Sequence, residues 1–438
     1  MTVLINLPED ILGVIRRFLS ATDFLQLYLT SKILFEETKR LKFLVLNRVD
    51  SLKFYKDYEF RERVISYVVT RYQLSLNLQH YYEVDDVSVL CGIHTLDLSN
   101  CVNVTDVSAL GDVHTLNLGY CFQVSDVRNL GGVHTLNLSN CCNVTVVSSL
   151  GNVHTLNLSN LNITDVSNLG GVHTLNLSNC FKVSDVRDLG GIHTLNLQGC
   201  YHLVDVSALG GVNTLNLSYC EKISNVRSLG GVHTLNLFHC FGVTDVSSLG
   251  GVHTLNLEYC YKVHDVSALG SVHTLNLACC SNITDVSALG GVHTLNLGYC
   301  FNVSDVSALG GIHNLDLSCC DVSDVKDLGG VYNLNLSGCS NVVDVSALGG
   351  VYTLDLSYCE QIYNVSSLGG VHTLNLEACS KVSDVSALGG VHTLNLEACT
   401  KVSDVSALGG VHTLNLSDCV NIYDMSSLDG VHTLILDE

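Results

Sequence analysis

From Leu74 onward the hydrophobic positions of this chain recur with a period of 20 residues. In the stretch Val113 to Gly132, VHTLNLGYCFQVSDVRNLGG, the apolar set is Val113, Leu116, Leu118, Cys121, Val124, Val127 and Leu130. With Val113 as position 1, the same set returns in copy after copy. Leu116 and Leu118 alternate with Thr115 and Asn117, the period-2 pattern of a short strand with one buried face. The run Asp126 to Leu130, elsewhere Asp-Val-Ser-Ala-Leu, is too short for an α-helix and predicts one 3₁₀ turn with the Asp as its N-cap. Gly131-Gly132 supplies a tight return to the next strand. The anchor His-Thr-Leu-Asn-Leu, or a variant of it, begins at His94 and is last met at His432, with a degenerate copy at Leu74. Two steps are one residue short, before Ile163 and before Val322.

A fixed period of this size predicts a solenoid of about 19 coils. A lone coil cannot bury its own apolar side, so the strands, one per coil, must stack in parallel. Strands stack closer than α-helices do, and a thin 3₁₀ turn on the outer side keeps both sides of the stack similar. The expected form is a straight or gently curved rod. Upstream, Leu7, Ile11, Leu12, Ile15, Phe18 and Leu19 share one helical face, and Pro8 sits where a first-turn proline is tolerated. A second amphipathic run opens at Thr22-Asp23, and a third helix through Phe35 to Leu46 is expected to complete the module. A helix from Tyr58 to Arg71 is expected to cover the first coil. The fold class is therefore an α/β solenoid with one long parallel β-sheet and short 3₁₀ turns over residues 74–438. It is preceded by a small all-α module at residues 1–45 and a helical linker and N-terminal cap at residues 46–73.

Charge changes the picture of partners. The net charge is −21. Residues 1–73 carry 12 Lys/Arg against 9 Asp/Glu and the remainder 9 against 33, so the array itself is strongly acidic. Such a surface repels phosphate backbones, which argues against nucleic acid, and would steer a partner with a basic surface toward it. The N-terminus MTVLINLPEDIL lacks the features of a secretory signal, and no apolar run is long enough to span a membrane. The expectation is an intracellular protein, cytoplasmic or nuclear, in which the 20 cysteines stay reduced.

Three columns of potential chemistry follow from the repeat. Cysteines hold position 9 in sixteen copies, among them Cys121, Cys260 and Cys399. They read as small buried side chains bonded weakly to backbone, in preference to a metal or redox ladder. Histidines at position 2 form a column that reads as solvated and structural, with metal binding or titration near neutral pH as the alternative. Asn213, Tyr332 and Tyr352 interrupt it. The Asp column, including Asp106, Asp126, Asp165 and Asp185, reads as N-capping in preference to calcium binding, with Val146, Asn225 and Asn364 as interruptions. No catalytic constellation stands out, so no enzyme, cofactor or metal site is expected. Function is expected where copies differ, just beyond the strand. Tyr120, Phe122, Phe181, Tyr201, Tyr219, Phe241, Tyr259, Tyr261, Tyr299 and Phe301, with His239, would line one rim. Such a row is either a partner-binding surface or a set of rings packed only on each other.

Two resemblances bear on these expectations. The unit Val-x-x-Leu-x-Leu-x-x-Cys resembles the leucine-rich repeat over residues 74–438, with a cysteine-containing strand end and a short internalin-type turn. The stretch Leu7-Pro8-Glu9-Asp10-Ile11-Leu12, then Asp23-Phe24-Leu25-Gln26-Leu27 and Thr30-Ser31-Lys32, resembles the F-box over about Leu7 to Leu44. The usual tryptophan near the end of that module is absent. The F-box resemblance implies that Leu7, Pro8, Ile11, Leu12, Ile15, Leu25 and Leu27 bind a Skp-type adaptor. The chain would then be the substrate-recognition adaptor of a cullin ubiquitin ligase, with the rod holding an unidentified target protein. The alternative is an interaction scaffold or decoy without ligase recruitment. Arrays of nearly identical copies also resemble those encoded by large DNA viruses of eukaryotes. The last coil ends on Leu434-Ile435-Leu436 with an exposed sheet edge, for which end-to-end pairing or a truncated chain is the expectation.

Overall fold

The computed structural model describes residues 44–66, 68, 71 and 74–436. The predicted adaptor-binding residues Leu7, Pro8, Ile11, Leu12, Ile15, Leu25 and Leu27 lie outside them. The chain divides into two compact units, Met1–His202 and Leu203–Glu438.

In the first unit, the short strand β1 (Leu44–Val45) pairs in parallel with β2 (Leu74–Asn77), joining Leu44 to Leu74. This corrects the C-terminal end of the expected third helix, because Leu44 and Val45 are extended and part of the sheet, while its residues 35–43 lie outside the described residues. Between β1 and β2 stand α1 (Arg48–Lys56) and α2 (Tyr58–Ser66). The sequence pattern did not reveal α1, and α2 stops short of Arg71. Asn47 starts α1: its side-chain oxygen accepts the Asp50 N–H, and its Nδ2 donates back to the Asp50 carboxylate. Phe54, Phe60 and Val64 are buried, and the buried Ser51 hydroxyl accepts the Asn77 N–H while donating to the Leu46 carbonyl. The two helices thus cover the first coil and satisfy part of its backbone.

The remaining coils of this unit carry three-residue strands from Thr95–Asp97 to Thr194–Asn196, each in parallel register with the next. The second unit repeats the scheme from Thr214–Asn216 to Thr433–Ile435. Each coil turns outward through a 3₁₀ segment such as Ser108–Leu110 or Ser267–Leu269. The predicted inward set is the core: Val113, Leu116, Leu118, Cys121, Val124, Val127 and Leu130 are all at most 1% exposed. The two shortened copies keep strand register, Thr155 opposite Thr174 and Asn314 opposite Asn333. Their missing residue is absorbed in the exposed loop after position 9, where no core side chain is displaced. Leu161 fills the cysteine slot of the first of them and is buried there.

The two glycines of the return have different jobs. At position 19 a Cβ would meet the carbonyl oxygen two residues before the equivalent glycine of the next coil, for example 2.3 Å between Gly111 and Asn129 O. Position 20 is looser and natively holds Asp112, Asn152 and Ser271. Cys91 is the one non-glycine at position 19 with a coil pressing on it. There the backbone leaves the α-region for φ −60°, ψ 144°, and Gly92 takes φ 73°. Asp429 occupies position 19 in the last described coil.

The Asp column works one residue upstream of the predicted cap. The cap position is the following valine, and the Asp Oδ1 accepts the N–H of the first 3₁₀ residue, as Asp106 does from Ser108 at 2.9 Å. Asn225 and Asn364 make the same bond to Arg227 and Ser366, which explains why they substitute freely. Hydrogen bonds from the Ser247 hydroxyl and backbone, with Arg227 adding to them, hold Asp245 down to about 2. Asp126 is likewise held at about 2 by the Arg128 side chain and N–H. A carboxylate lowered in the folded state contributes stability that is present above its unfolded value of 3.8 and is lost as pH falls toward 2. The urea midpoint is therefore expected to drop between about pH 4 and pH 2. Asp245→Asn, which keeps the backbone bond without the titrating charge, should shrink that dependence in a pH series of unfolding curves.

Candidate interaction surface

The rim is created by the backbone at position 8. In each described copy this residue adopts positive φ, 56° to 64° for side-chain-bearing residues and 70° for Gly199 and Gly338. Asn100, Asn140, Asn160 and Asn179 suit that conformation, whereas Tyr120, Tyr259, Tyr299 and Ala398 do not. The neighbouring bonds enforce it. The Tyr120 N–H donates to the Ser139 carbonyl of the next coil, and the Asn117 side chain accepts the Gly119 N–H. The asparagine column at position 5 is thus a set of side-chain turns that also link coil to coil, as Asn137 does to Asn117 at 2.8 Å. Replacing Ala398 by Asn, the residue native to four other copies, is expected to stabilise the protein by about 1 kcal/mol, read as a rise in unfolding midpoint.

This geometry pushes the position-8 and position-10 side chains outward. Tyr120, Phe122, Phe181, Tyr201, Tyr261, Tyr299 and Phe301 are exposed, Phe301 to 57%, whereas Tyr219, Phe241 and Tyr259 are half-buried. They form separate groups. In the first unit Tyr120 meets Phe122 edge-on at 6.1 Å, and Phe181 stacks on Tyr201 at 5.4 Å. In the second, Tyr299 meets Phe301 edge-on at 6.1 Å.

The largest group joins three successive coils around His239. Its ring lies 5.0 Å from Tyr219, 4.7 Å from Phe241 and 4.9 Å from Tyr259. Phe241 stacks on Tyr261 at 5.3 Å. Phe238 completes it, edge-on to Tyr219 and Tyr259 at 5.2 and 5.6 Å. Phe238 was not among the sequence candidates. The signal was there, since position 7 is otherwise Ser, Gly, Ala, Gln, Glu or Asp, and Phe238 is its one aromatic residue. Gly242 lets this loop sit tight on the coil before it, because a Cβ there would fall 2.2 Å from the Ile223 carbonyl oxygen. The rings therefore pack on one another and still present a surface.

The cysteine column is turned inward and occupied by the fold. Cys121 Sγ donates to the Leu98 carbonyl of the preceding coil at 3.1 Å, the same oxygen that accepts the Cys101 N–H. Burial pushes the Cys101 thiol up to about 11 and that of Cys260 up to about 12, the opposite of an activated nucleophile. None of the 20 cysteines is joined in a disulfide. The imidazoles of position 2 stack face to face, as in His94 on His114 at 4.5 Å, and in most copies, as in His114, the Nδ1 lies within bonding distance of the next threonine hydroxyl. Among the described residues no three His, Cys, Asp or Glu side chains converge as metal ligands, and no helix is long and apolar enough to cross a membrane.

No protein-family model and no curated protein matches this chain. Solved structures do. TLR13 in its complex with ssRNA13 superposes with a TM-score of 0.50 and 17% identity over 83% of this chain and 58% of that one. A leucine-rich-repeat protein of Leptospira interrogans gives 0.48 and 17% over 79% and 90%. The functional domain of InlJ from Listeria monocytogenes, which includes a cysteine ladder, gives 0.41 and 17% over 78% and 72%. The TLR13 likeness shows the fold: this is a leucine-rich-repeat type solenoid.

Proposed function

We propose that this chain is a non-enzymatic protein-interaction scaffold that seats its partner on the aromatic rim. The observation that supports this reading is the group Tyr219, Phe238, His239, Phe241, Tyr259 and Tyr261. Large rings already held by one another lose little freedom on binding, and clustered aromatics are the usual energetic centre of an interface. The acidic array around it favours a partner with a basic surface. The reading places the chain in a reducing compartment inside a cell, in keeping with cysteines that form no disulfide. The test is a photo-crosslinking residue at position 241 of the full chain, expressed in cells. Partners captured by the otherwise native chain should be lost when Phe238→Ala and Tyr259→Ala are added. Undiminished capture by that double variant would refute the rim as the seat.

A second, finer reading rests on the resemblance of residues 7–32 to the F-box. In it the N-terminal residues recruit a Skp-type adaptor and a cullin ligase, and the partner on the rim is a ubiquitination target. Co-purification of a Skp-type adaptor with the full chain, lost on Leu7→Ala plus Pro8→Ala, is the expected result. If no adaptor co-purifies with the native chain, the scaffold reading stands alone.

A further inference from the structure

The histidine column is not used by the rim and is far more regular than solvated side chains need be. In the first unit His94, His114, His134, His154, His173 and His193 stack with ring centroids 4.5 to 4.7 Å apart and planes within 11°. In the second, His233, His253, His273, His293 and His313 continue the pattern at 4.7 to 4.9 Å. Tyr332 and Tyr352 then stack in the same column, followed by His372, His392, His412 and His432. In most copies the ring's Nδ1 is tied to the hydroxyl of the following threonine, at 3.2 Å for both His114 and His253. Orientation is thereby nearly constant along each run, with larger tilts of 22° between His233 and His253 and 29° between His293 and His313.

The charged surroundings are sparse. Positions 19, 20, 1 and 3, which flank the ring along the chain, hold two ionisable carboxylates in all copies, Asp112 before His114 and Asp429 before His432, and no Lys or Arg. At the head of the first unit Arg71 packs against Gly92, two residues before His94. The electrostatic neighbour of His114 is His94. The electrostatic neighbours of His253 are His233 and His273.

The geometry points to this column as a graded acid-responsive strip, in which protonating one imidazole hinders protonation of the rings one coil above and below. Two unit charges about 4.6 Å apart disfavour the second proton by roughly 5-fold in water and by several hundred-fold in a protein-like medium. Protons therefore settle first on alternate rings and fill the rest only at lower pH. The carboxylates of the Asp column are ionised throughout this range, so the 15 histidines of the column offset only part of the array's net charge of −24, and do so gradually as pH falls from about 8 to about 5. Burial first, and then the neighbouring imidazoles, lower His253, and the same causes lower His114. A histidine lowered in the folded state favours the neutral ring, so its contribution to stability is present above the ordinary imidazole value and erodes as pH falls below it.

The test follows His253 in the histidine-labelled full chain by NMR titration. Native Asn213 and Tyr332 show that the column tolerates either residue. One variant carries His233→Asn and His273→Asn, removing both charge and stack. A second carries His233→Tyr and His273→Tyr, keeping the stack and removing the charge. The midpoint of His253 should rise by half a pH unit or more in both, and total proton uptake of the native chain should be broader than for independent sites. An unchanged midpoint in both variants overturns the proposal. So does a rise in the Asn variant alone, which would assign the effect to solvent access instead of charge.

Discussion

Gly270→Ala is expected to lower stability by about 3 kcal/mol, whereas Gly311→Ser is expected to be nearly neutral. The two glycines belong to the same Gly-Gly type of return, one position apart in the repeat. A Cβ on Gly270 would lie 2.2 Å from the Ala288 carbonyl oxygen, which is backbone of the next coil and cannot swing aside. A Cβ on Gly311 would lie 3.8 Å from the Gly290 oxygen, an ordinary contact, and Ser271 is native at the equivalent site. Relief at Gly270 would require the escape seen at Cys91, where the turn becomes extended and the following glycine takes positive φ. At position 271 that glycine is a serine, so the escape is strained. Urea unfolding should show the lowered midpoint. Hydrogen exchange should show lost protection centred on the strands Thr254–Asn256, Thr274–Asn276 and Thr294–Asn296.

Leu257→Ala is expected to cost about 3 to 4 kcal/mol. Leu257 is fully buried at the end of its strand, between the equivalent leucines Leu237 and Leu277. The pocket it leaves cannot collapse, because the strands on both sides are pinned in register and its own carbonyl accepts both the Cys260 N–H and the Cys280 thiol. In a solenoid each coil is stabilised by its neighbours, so the loss should weaken both adjoining coils. Thr254→Ala, on the half-exposed face of the same strand, should stay within about 0.5 kcal/mol. Equal effects from the two substitutions in urea titrations would contradict the assignment of inner and outer faces.

Several features were legible because they depend on residues close in sequence. The inward set from Val113 to Leu130 follows from spacing, and one strand per copy follows from the Leu-x-Leu alternation. The Asp at position 14 was legible as a capping residue but misplaced by one, since spacing alone does not say which N–H it reaches. The N-terminal side was less readable. Leu44 and Val45 carry no strand pattern of their own, and they are extended because β2 offers them a partner 30 residues away. Helix α1 escaped notice because its sequence, RVDSLKFYK, buries little more than Phe54 and relies on Asn47 to start it.

The rim shows the same division. Its aromatic residues could be read from the chain, but their grouping could not. That Tyr219, Phe238, His239, Phe241, Tyr259 and Tyr261 touch across coils, while Tyr299 meets Phe301 within one copy, is decided by contacts between coils about 20 residues apart.

What the amino-acid sequence determined by itself was the repeating unit: which side chains face inward, where the chain turns and how many turns there are. Those are properties of one coil's periodicity, set by the burial of apolar positions at fixed spacing. What only the tertiary structure decided was everything that one coil imposes on the next. The left-handed backbone at Tyr120 and Ala398, the unequal demands on the two return glycines, the shared Leu98 carbonyl and the face-to-face imidazoles all arise from contact between neighbours in the stack. Their physical origin is the spacing of parallel strands, which brings each residue within bonding distance of its equivalent one coil away.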